Sequence, residues 1–329
     1  MASRRPQVGV LLSTRWPLLA ARREGRAIDG SAVLRLAEQA EAAGLDSVWV
    51  GDSLLSKPRL EPVATLAAVA SRTGKVRIGT AVLLPALRHP VTLAHSLATL
   101  DVLSGGRLVM AAGVGGAFTA EQQQEWLAVG VAPQSRAGRL AESVQLMKRL
   151  WAEERVSFHG KHFVVDDVAL EPKPLRPGGV PVLLACHYRT GSEAQYRRAA
   201  EGADGIIGIT DSPQEYAQVV RRVDQLAAQA GRDPAHLERA FYMTVNVAHD
   251  PDRAANEADE FLMAYYGVRH WGPTWGPWGT PQAVAECMAD YLQAGADHLI
   301  VRFASWDPEE QLRRFTQEVL PAFKQLAAW

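Results

Sequence analysis

"RIGTAVLLPALRHPVTLAHSLATLDVLSGGRLVMAAGVGG", residues 77–116, covers two apolar runs, 76–84 (which begins one residue before it) and 107–114, joined by a segment with helical spacing. The runs are continuously apolar rather than alternating, the pattern of strands covered on both faces. Strand, helix and strand in this order therefore predict a parallel βαβ crossover. The glycines closing the second run do not make a nucleotide loop. In the register of Gly113 and Gly115, the third glycine of a dinucleotide fingerprint falls on Phe118, and no Gly-Lys pair followed by Ser or Thr is present. Tight turns are the plain alternative for glycines in such places.

The same unit recurs outward in both directions. "QVGVLL" (7–12) and "SVWVGD" (47–52) precede it, and "VPVLLAC" (180–186), "GIIGIT" (205–210), "FYMTVNVA" (241–248) and "HLIVRF" (298–303) follow. Helical patterns such as "SAVLRLAEQAEAAG" (31–44) lie between the strands, with Ser or Asp before them and Gly after. Eight such units predict an α/β fold, a closed (β/α)8 TIM barrel spanning 1–329 as a single domain, with an open doubly wound sheet as the alternative. Two stretches break the repeat. Residues 153–179 include "VSFHGKHFVV", which reads as an inserted hairpin around a Gly-Lys turn, and residues 265–280, "YYGVRHWGPTWGPWGT", form a Trp-rich loop. Its glycines at 272 and 276 suit hinges and its prolines at 273 and 277 limit its conformations, which predicts a lid.

Composition narrows the functions. With 35 basic against 36 acidic residues there is no basic excess, so nucleic acid is not the expected partner; a small molecule is. The two cysteines, Cys186 and Cys287, have no metal or redox spacing, which predicts a reducing cytoplasm. Arg4-Arg5 before an apolar run looks like an export signal, but Arg15 and Pro17 interrupt it; no stretch is long enough to span a bilayer, so no membrane partner is expected. His159 and His162, followed by Asp166 and Asp167, flank a hairpin turn and are not read as a metal site.

In a barrel of this kind the active site is built at the C-terminal ends of the strands, here 12–16, 52–53, 81–85, 113–118, 185–187, 209–210, 246–249 and 302–306. Few of these positions are acids, bases or metal ligands, which predicts an organic cofactor that carries the chemistry. Gly191 and Ser192 open a helix after the fifth barrel strand, where free N–H groups favour a phosphate, and Arg189 lies beside them. A simple N-cap is the alternative for Ser192. Asp52 is a candidate proton carrier or cap, and His187 a second catalytic candidate; Cys186 and His187 point to opposite faces and do not form a pair. Trp16, Phe118, Trp126, Tyr188 and Trp306 suggest an apolar or aromatic substrate, and Trp16 and Phe118, with Trp275 and Trp278 of the tryptophan loop as a lid or wall, are its expected contacts.

The 77–116 stretch, with 146–163, 199–208 and 301–323, resembles the bacterial luciferase-like oxidoreductases, which use FMN or the deazaflavin coenzyme F420. The resemblance covers nearly the whole chain. It implies a non-proline cis peptide at Ala81-Val82 against the cofactor ring, with Val82 pressing on it, and Gly115 and Gly116 turning beneath a bulky ligand. It places Ala185, Ile209 and Thr210 in the same cofactor site. The phosphate-binding arginine that luciferases carry near Gly116 is missing, and Ser53 follows Asp52 where many deazaflavin-dependent relatives have histidine. The leading expectation is a two-component FMN-dependent monooxygenase supplied by a separate reductase. The alternatives are an F420-dependent dehydrogenase or reductase, a non-catalytic flavin-binding protein, and a cofactor-free hydrolase or lyase. Segments 60–70 and 91–103 are apolar beyond one helical stripe, and family members pair through these helices, so a homodimer is expected.

Overall fold

The computed structural model describes residues 5–267, 269 and 271–327. Arg4, half of the dibasic pair at the N-terminus, lies outside them. Eleven strands run in chain order: β1 (Gln7–Leu12), β2 (Ser47–Val50), β3 (Arg77–Leu83), β4 (Leu108–Ala112), β5 (Val156–His159), β6 (Val164–Val168), β7 (Val182–Ala185), β8 (Gly205–Ile209), β9 (Glu238–Val247), β10 (Trp278–Gly279) and β11 (His298–Phe303). Eight of them form a parallel ring, β1-β2-β3-β4-β7-β8-β9-β11, which β11 closes against β1. This is a (β/α)8 TIM barrel, and each strand expected from an apolar run belongs to it.

The alternation of side chains explains how the barrel fills. One set of strand residues packs outward against the helices in the large core, including Val10, Val48, Ile78, Met110, Val182, Ile206 and Val301. The other set points inward: Leu11, Trp49, Ala81, Val109, Ala111, Leu183, Ile207, Ala240, Tyr242 and Ile300. Trp49 is the large residue of the inner layer and is fully buried. Its ring occupies space that neighbouring strands give up, since a Cβ on Gly79 would lie 2.4 Å from the indole and one on Gly9 2.9 Å from its Nε1.

Below Trp49 the N-terminal end of the barrel is sealed by first residues of four strands. Ser47 Oγ meets His298 Nε2 at 2.7 Å, His298 Nδ1 meets Glu238 Oε1 at 2.9 Å, and Arg77 Nη2 pairs with Glu238 Oε2 at 2.8 Å. The Trp49 indole donates to Ser47 Oγ. Burial pushes the Glu238 carboxyl up, but the hydrogen bond from His298 and the charge of Arg77 outweigh it and hold the group at about 2.

The inserted hairpin is present, with β5 antiparallel to β6. The tryptophan loop departs from expectation. Trp278 and Gly279 form β10, which extends the sheet beside Asn246 and Val247 of β9, and Asn246 N donates to Pro277 O. The chain after Gly276 is thereby tied to the barrel by backbone hydrogen bonds. Among the described residues no helix is long and apolar enough to cross a membrane.

Candidate active site

The floor of the barrel mouth is apolar. The Ala81-Val82 peptide is cis, and the β3–β4 register shifts between Thr80 and Leu83, so β3 ends in an irregularity at the expected place. Val82, Ala185 and Ile209 pack on the inner layer beside Ala81, which brings four predicted residues together. Gly113 makes room for this arrangement, since a Cβ there would meet Val82 Cγ2 at 2.7 Å.

The other glycines of the opening stretch act differently from the expectation. Gly115 has φ +75°, and a Cβ on it would meet Trp126 at 2.8 Å; at Gly116 the side chain of Gln122 fills that space at 2.6 Å. Trp126 Nε1 donates to Gly116 O at 2.9 Å. The missing side chains thus let the loop pack onto the buried Trp126 and onto Gln122, and the Cβ positions do not face a ligand cradle. Phe118 projects into solvent, 88% exposed.

After β7, the helix Glu193–Gly202 begins at Gly191, in the left-handed region at φ 59°, and Ser192, which makes no side-chain cap. Both residues are exposed, nothing approaches the Cβ position of Gly191 within 4 Å, and Gln195 N in the first turn donates to Ser192 O at 3.1 Å. Arg189 is not free beside them, because it pairs with Glu215 at 3.3 Å. Thr210 holds φ 64°, and the buried Asp211 after it accepts from Tyr188 N at 3.0 Å. Burial pushes the Asp211 carboxyl up to about 6, against the opposing hydrogen bond from Tyr188. Burial also lowers His187, whose Nδ1 has no hydrogen-bond partner.

Asp52 is placed as an anchor instead of the expected proton carrier. Its carboxylate accepts from Arg88 Nη1 at 2.6 Å, Arg88 Nη2 at 3.1 Å and Leu84 N at 3.0 Å, with its side chain 1% exposed. Both oxygens are thereby engaged in holding the loop after β3. Glu125, which sequence reasoning missed, does the same for the loop after β2: it accepts from Ser53 Oγ, Leu55 N and Ser56 Oγ at 2.9, 2.7 and 3.0 Å.

The far side of the mouth is cationic. Arg15 follows β1, Lys57 and Arg59 lie in the loop after β2, and Arg302 sits within β11, buried to 2% exposure. Arg302 donates to Tyr266 Oη at 2.9 Å and Thr244 Oγ1 at 3.0 Å. The guanidinium carbons of Arg302, Arg15 and Arg59 lie 4.9, 5.6 and 5.8 Å from the Tyr265 ring centre. Burial pushes the Tyr265 phenol up, but the charges of Arg59, Arg302 and Arg15 prevail and hold it below its ordinary value. Sequence reasoning missed this group; the visible signal was an arginine inside the apolar run "HLIVRF".

Trp16, Trp278 and Trp306 pack with Phe261 and Tyr265 in one aromatic cluster, and Trp275 meets Tyr266 edge-on at 5.4 Å. Ten buried side-chain atoms lack a hydrogen-bond partner among the described residues, and six belong to the mouth: Ser13 Oγ, Thr14 Oγ1, Arg15 Nε, His187 Nδ1, Trp278 Nε1 and Arg302 Nε. Buried polar groups are rarely left unpaired, so their gathering at one end marks where a ligand or water belongs.

A parallel barrel that leaves its unpaired polar groups at the C-terminal mouth is built as a (β/α)8 enzyme. The luciferase-like monooxygenase family matches residues 7–276, and the chain belongs to that family. It is 30% identical to an F420-dependent glucose-6-phosphate dehydrogenase of Kineococcus radiotolerans, over 88% of this chain and 91% of the relative. With the enzyme of the same description from Amycolatopsis mediterranei it shares 28% identity, over 89% and 95%. Its fold matches an F420-dependent secondary alcohol dehydrogenase in complex with an F420-acetone adduct, with TM-score 0.79, 23% identity and coverage of 97% and 99%. It also matches the monooxygenase RslO1 from Streptomyces bottropensis, with TM-score 0.79, 23% identity and coverage of 96% and 99%.

Proposed function

We propose that the chain is a coenzyme F420-dependent oxidoreductase acting on a small organic substrate, rather than the FMN-dependent monooxygenase that its sequence first suggests. The observation that carries this reading is the near full-length similarity to F420-dependent dehydrogenases. The residues of the mouth fit a tricyclic, phosphate-bearing coenzyme. Ala81, Val82, Ala185 and Ile209 offer an apolar floor for a ring, and the uncapped amides at Ser192 and Glu193 offer donors for a phosphate. The exposed Arg189–Glu215 pair is worth under about 1 kcal/mol, so it gives way to a stronger anion at little cost.

When bound, the deazaflavin supplies hydride donation or acceptance, and the protein supplies position and shielding. Val82 and Ala185 would hold the ring, Asp52 and Arg88 fix the β3 end that would carry it, and the aromatic cluster around Trp278 would keep water from one side. His187, buried and lowered in basicity, stands at the β7 end with a free Nδ1 as a proton acceptor. The reading extends to one catalytic unit over the whole chain, a separate enzyme that recycles the coenzyme, and a homodimer through the helices Pro62–Arg72 and Pro90–Leu103.

Fluorescence titration of the purified protein with F420 and with FMN tests the proposal. Saturable binding of F420, weakened at least tenfold by Ser192→Glu, is the expected result. Binding of FMN alone would return the protein to the flavin monooxygenase reading.

A further inference from the structure

Four cationic side chains meet at the mouth of the barrel beside the apolar floor, and among the described residues no carboxylate forms an ion pair with any of them. Arg15 spends one nitrogen on Pro58 O at 3.2 Å, Lys57 donates to Tyr266 O at 2.8 Å, and Arg59 donates through Nε to Lys57 O at 3.1 Å. These carbonyls satisfy hydrogen bonds without neutralising charge. Arg15 Nε and Arg302 Nε have no partner at all, and Ser13 Oγ and Thr14 Oγ1 beside Arg15 share that condition. Burial, and after it the charge of Arg15, push the Lys57 ammonium below its ordinary value, against the opposing charge of Glu121.

The position of Arg59 connects this cluster to the floor. A Cβ on Gly51, at the end of β2, would lie 2.6 Å from Arg59 Nη1 and 3.7 Å from Ala81 O. The guanidinium is therefore folded over the strand end next to the cis peptide, instead of reaching into solvent. A buried arginine normally has an acidic partner, because an uncompensated charge away from water costs several kcal/mol. Of the neighbouring carboxylates, Glu125 is bound by the loop serines and Glu257 by Ser305 and the Trp306 amide, while Glu121 acts on Lys57 only through its charge and is held by Thr119 and its own backbone. Tyr265 and Tyr266 contribute phenols to the cluster.

We propose that Arg15, Arg59 and Arg302, with Lys57 behind them, form a subsite for the oxyanion group of the substrate, a carboxylate or a phosphate. This rests on the reading of the mouth as an oxidoreductase site and names its substrate class: small organic anions, held by the charged end, with the oxidisable or reducible carbon directed to the floor at Ala81. The guanidinium groups supply paired N–H donors matched to an oxyanion, and the free Nε atoms of Arg15 and Arg302 are the donors left for it.

Calorimetric titration of the protein, with and without F420, using benzoate, its neutral counterpart benzamide, and inorganic phosphate tests the subsite. Benzoate or phosphate should bind and benzamide should not, and which anion binds tells a carboxylate site from a phosphate site. Arg59→Gln, at a partly exposed position tolerant of change, and Arg302→Met should each weaken that binding about tenfold or more while F420 affinity stays within twofold. Anion binding unchanged in both variants would overturn the subsite. So would an absence of anion binding in wild type together with tyrosinate absorbance at neutral pH, because Tyr265 would then be the cluster's own counter-charge. Anion binding without F420 binding would sink the coenzyme assignment and leave the subsite standing.

Discussion

The two ends of the barrel treat charge in opposite ways. At the N-terminal end, Ser47, His298, Glu238 and Arg77 form a chain in which each buried group has its partner. At the C-terminal end, Arg15, His187, Trp278 and Arg302 all leave an atom unpaired. The first set consists of the first residues of four barrel strands; the second lies just after β1 and β7, near the C-terminal end of β11, and in the added strand β10. The bottom spends its polar groups on the fold, and the mouth withholds them from it, as expected where binding is traded against stability.

Substitutions can break that contrast, and the largest effect belongs at the bottom. Glu238→Ala leaves Arg77 and His298 without their acceptor and should cost about 3–5 kcal/mol in chemical denaturation, with coenzyme affinity unchanged in whatever remains folded. The pH dependence has a definite sign. Glu238 is held at about 2 in the fold, against about 4.3 unfolded. Its contribution is complete above about pH 4 and drains away as pH falls toward 2, and Glu238→Ala should flatten that acid limb.

Asp211 should behave in the reverse sense. Its carboxyl is raised to about 6 in the fold, against about 3.9 unfolded, so its contribution is full below about pH 4 and lost as pH rises through 6. Asp211→Asn should remove this slope and gain about 1–2 kcal/mol at pH 7, read by melting at pH 4 and pH 7. Equal pH profiles in the two proteins would show that the loop after β8 carries no such cost.

Arg302→Met sharpens the comparison further. The same change that weakens anion binding should cost the unliganded fold at most about 1 kcal/mol, because the charge it removes has no ionic partner. A loss as large as that of Glu238→Ala would make Arg302 a part of the scaffold. The smallest effect is expected at Phe118. At 88% exposure, its replacement by alanine should shift stability by less than about 0.5 kcal/mol. A change in substrate KM in that variant would then report contact with substrate, and an unchanged KM would remove Phe118 from the site.

The barrel was legible because strands buried on both faces carry uninterrupted apolar runs, and Gly or Pro marks where they stop. The floor was legible for a different reason, the family resemblance around Ala81, since a cis peptide has no composition signal. The cationic side was not. Arg15, Arg59 and Arg302 are far apart in sequence, and although Arg302 interrupts an apolar run, Arg15 and Arg59 read alone as ordinary surface charges until the barrel closes and brings Arg59 over Gly51. Gly115 and Gly116 misled because a missing Cβ says that something approaches, without saying whether it is a ligand or, as here, Trp126 and Gln122. The backbone pairing of Trp278 with Asn246 was not legible either, because a run of Gly, Pro and Trp does not announce a strand.

Arg302 stands within β11, in register opposite Thr244 of β9, and not on a loop. A charge carried by a barrel strand cannot follow its ligand. If one end of the substrate is fixed there and the other faces Ala81, as proposed, the span between them would act as a ruler that sets which carbon along the substrate reaches the reactive position. Shortening or lengthening a substrate by one methylene would then alter regiochemistry and turnover more than affinity, and selectivity would follow chain length more closely than chemical identity at the far end.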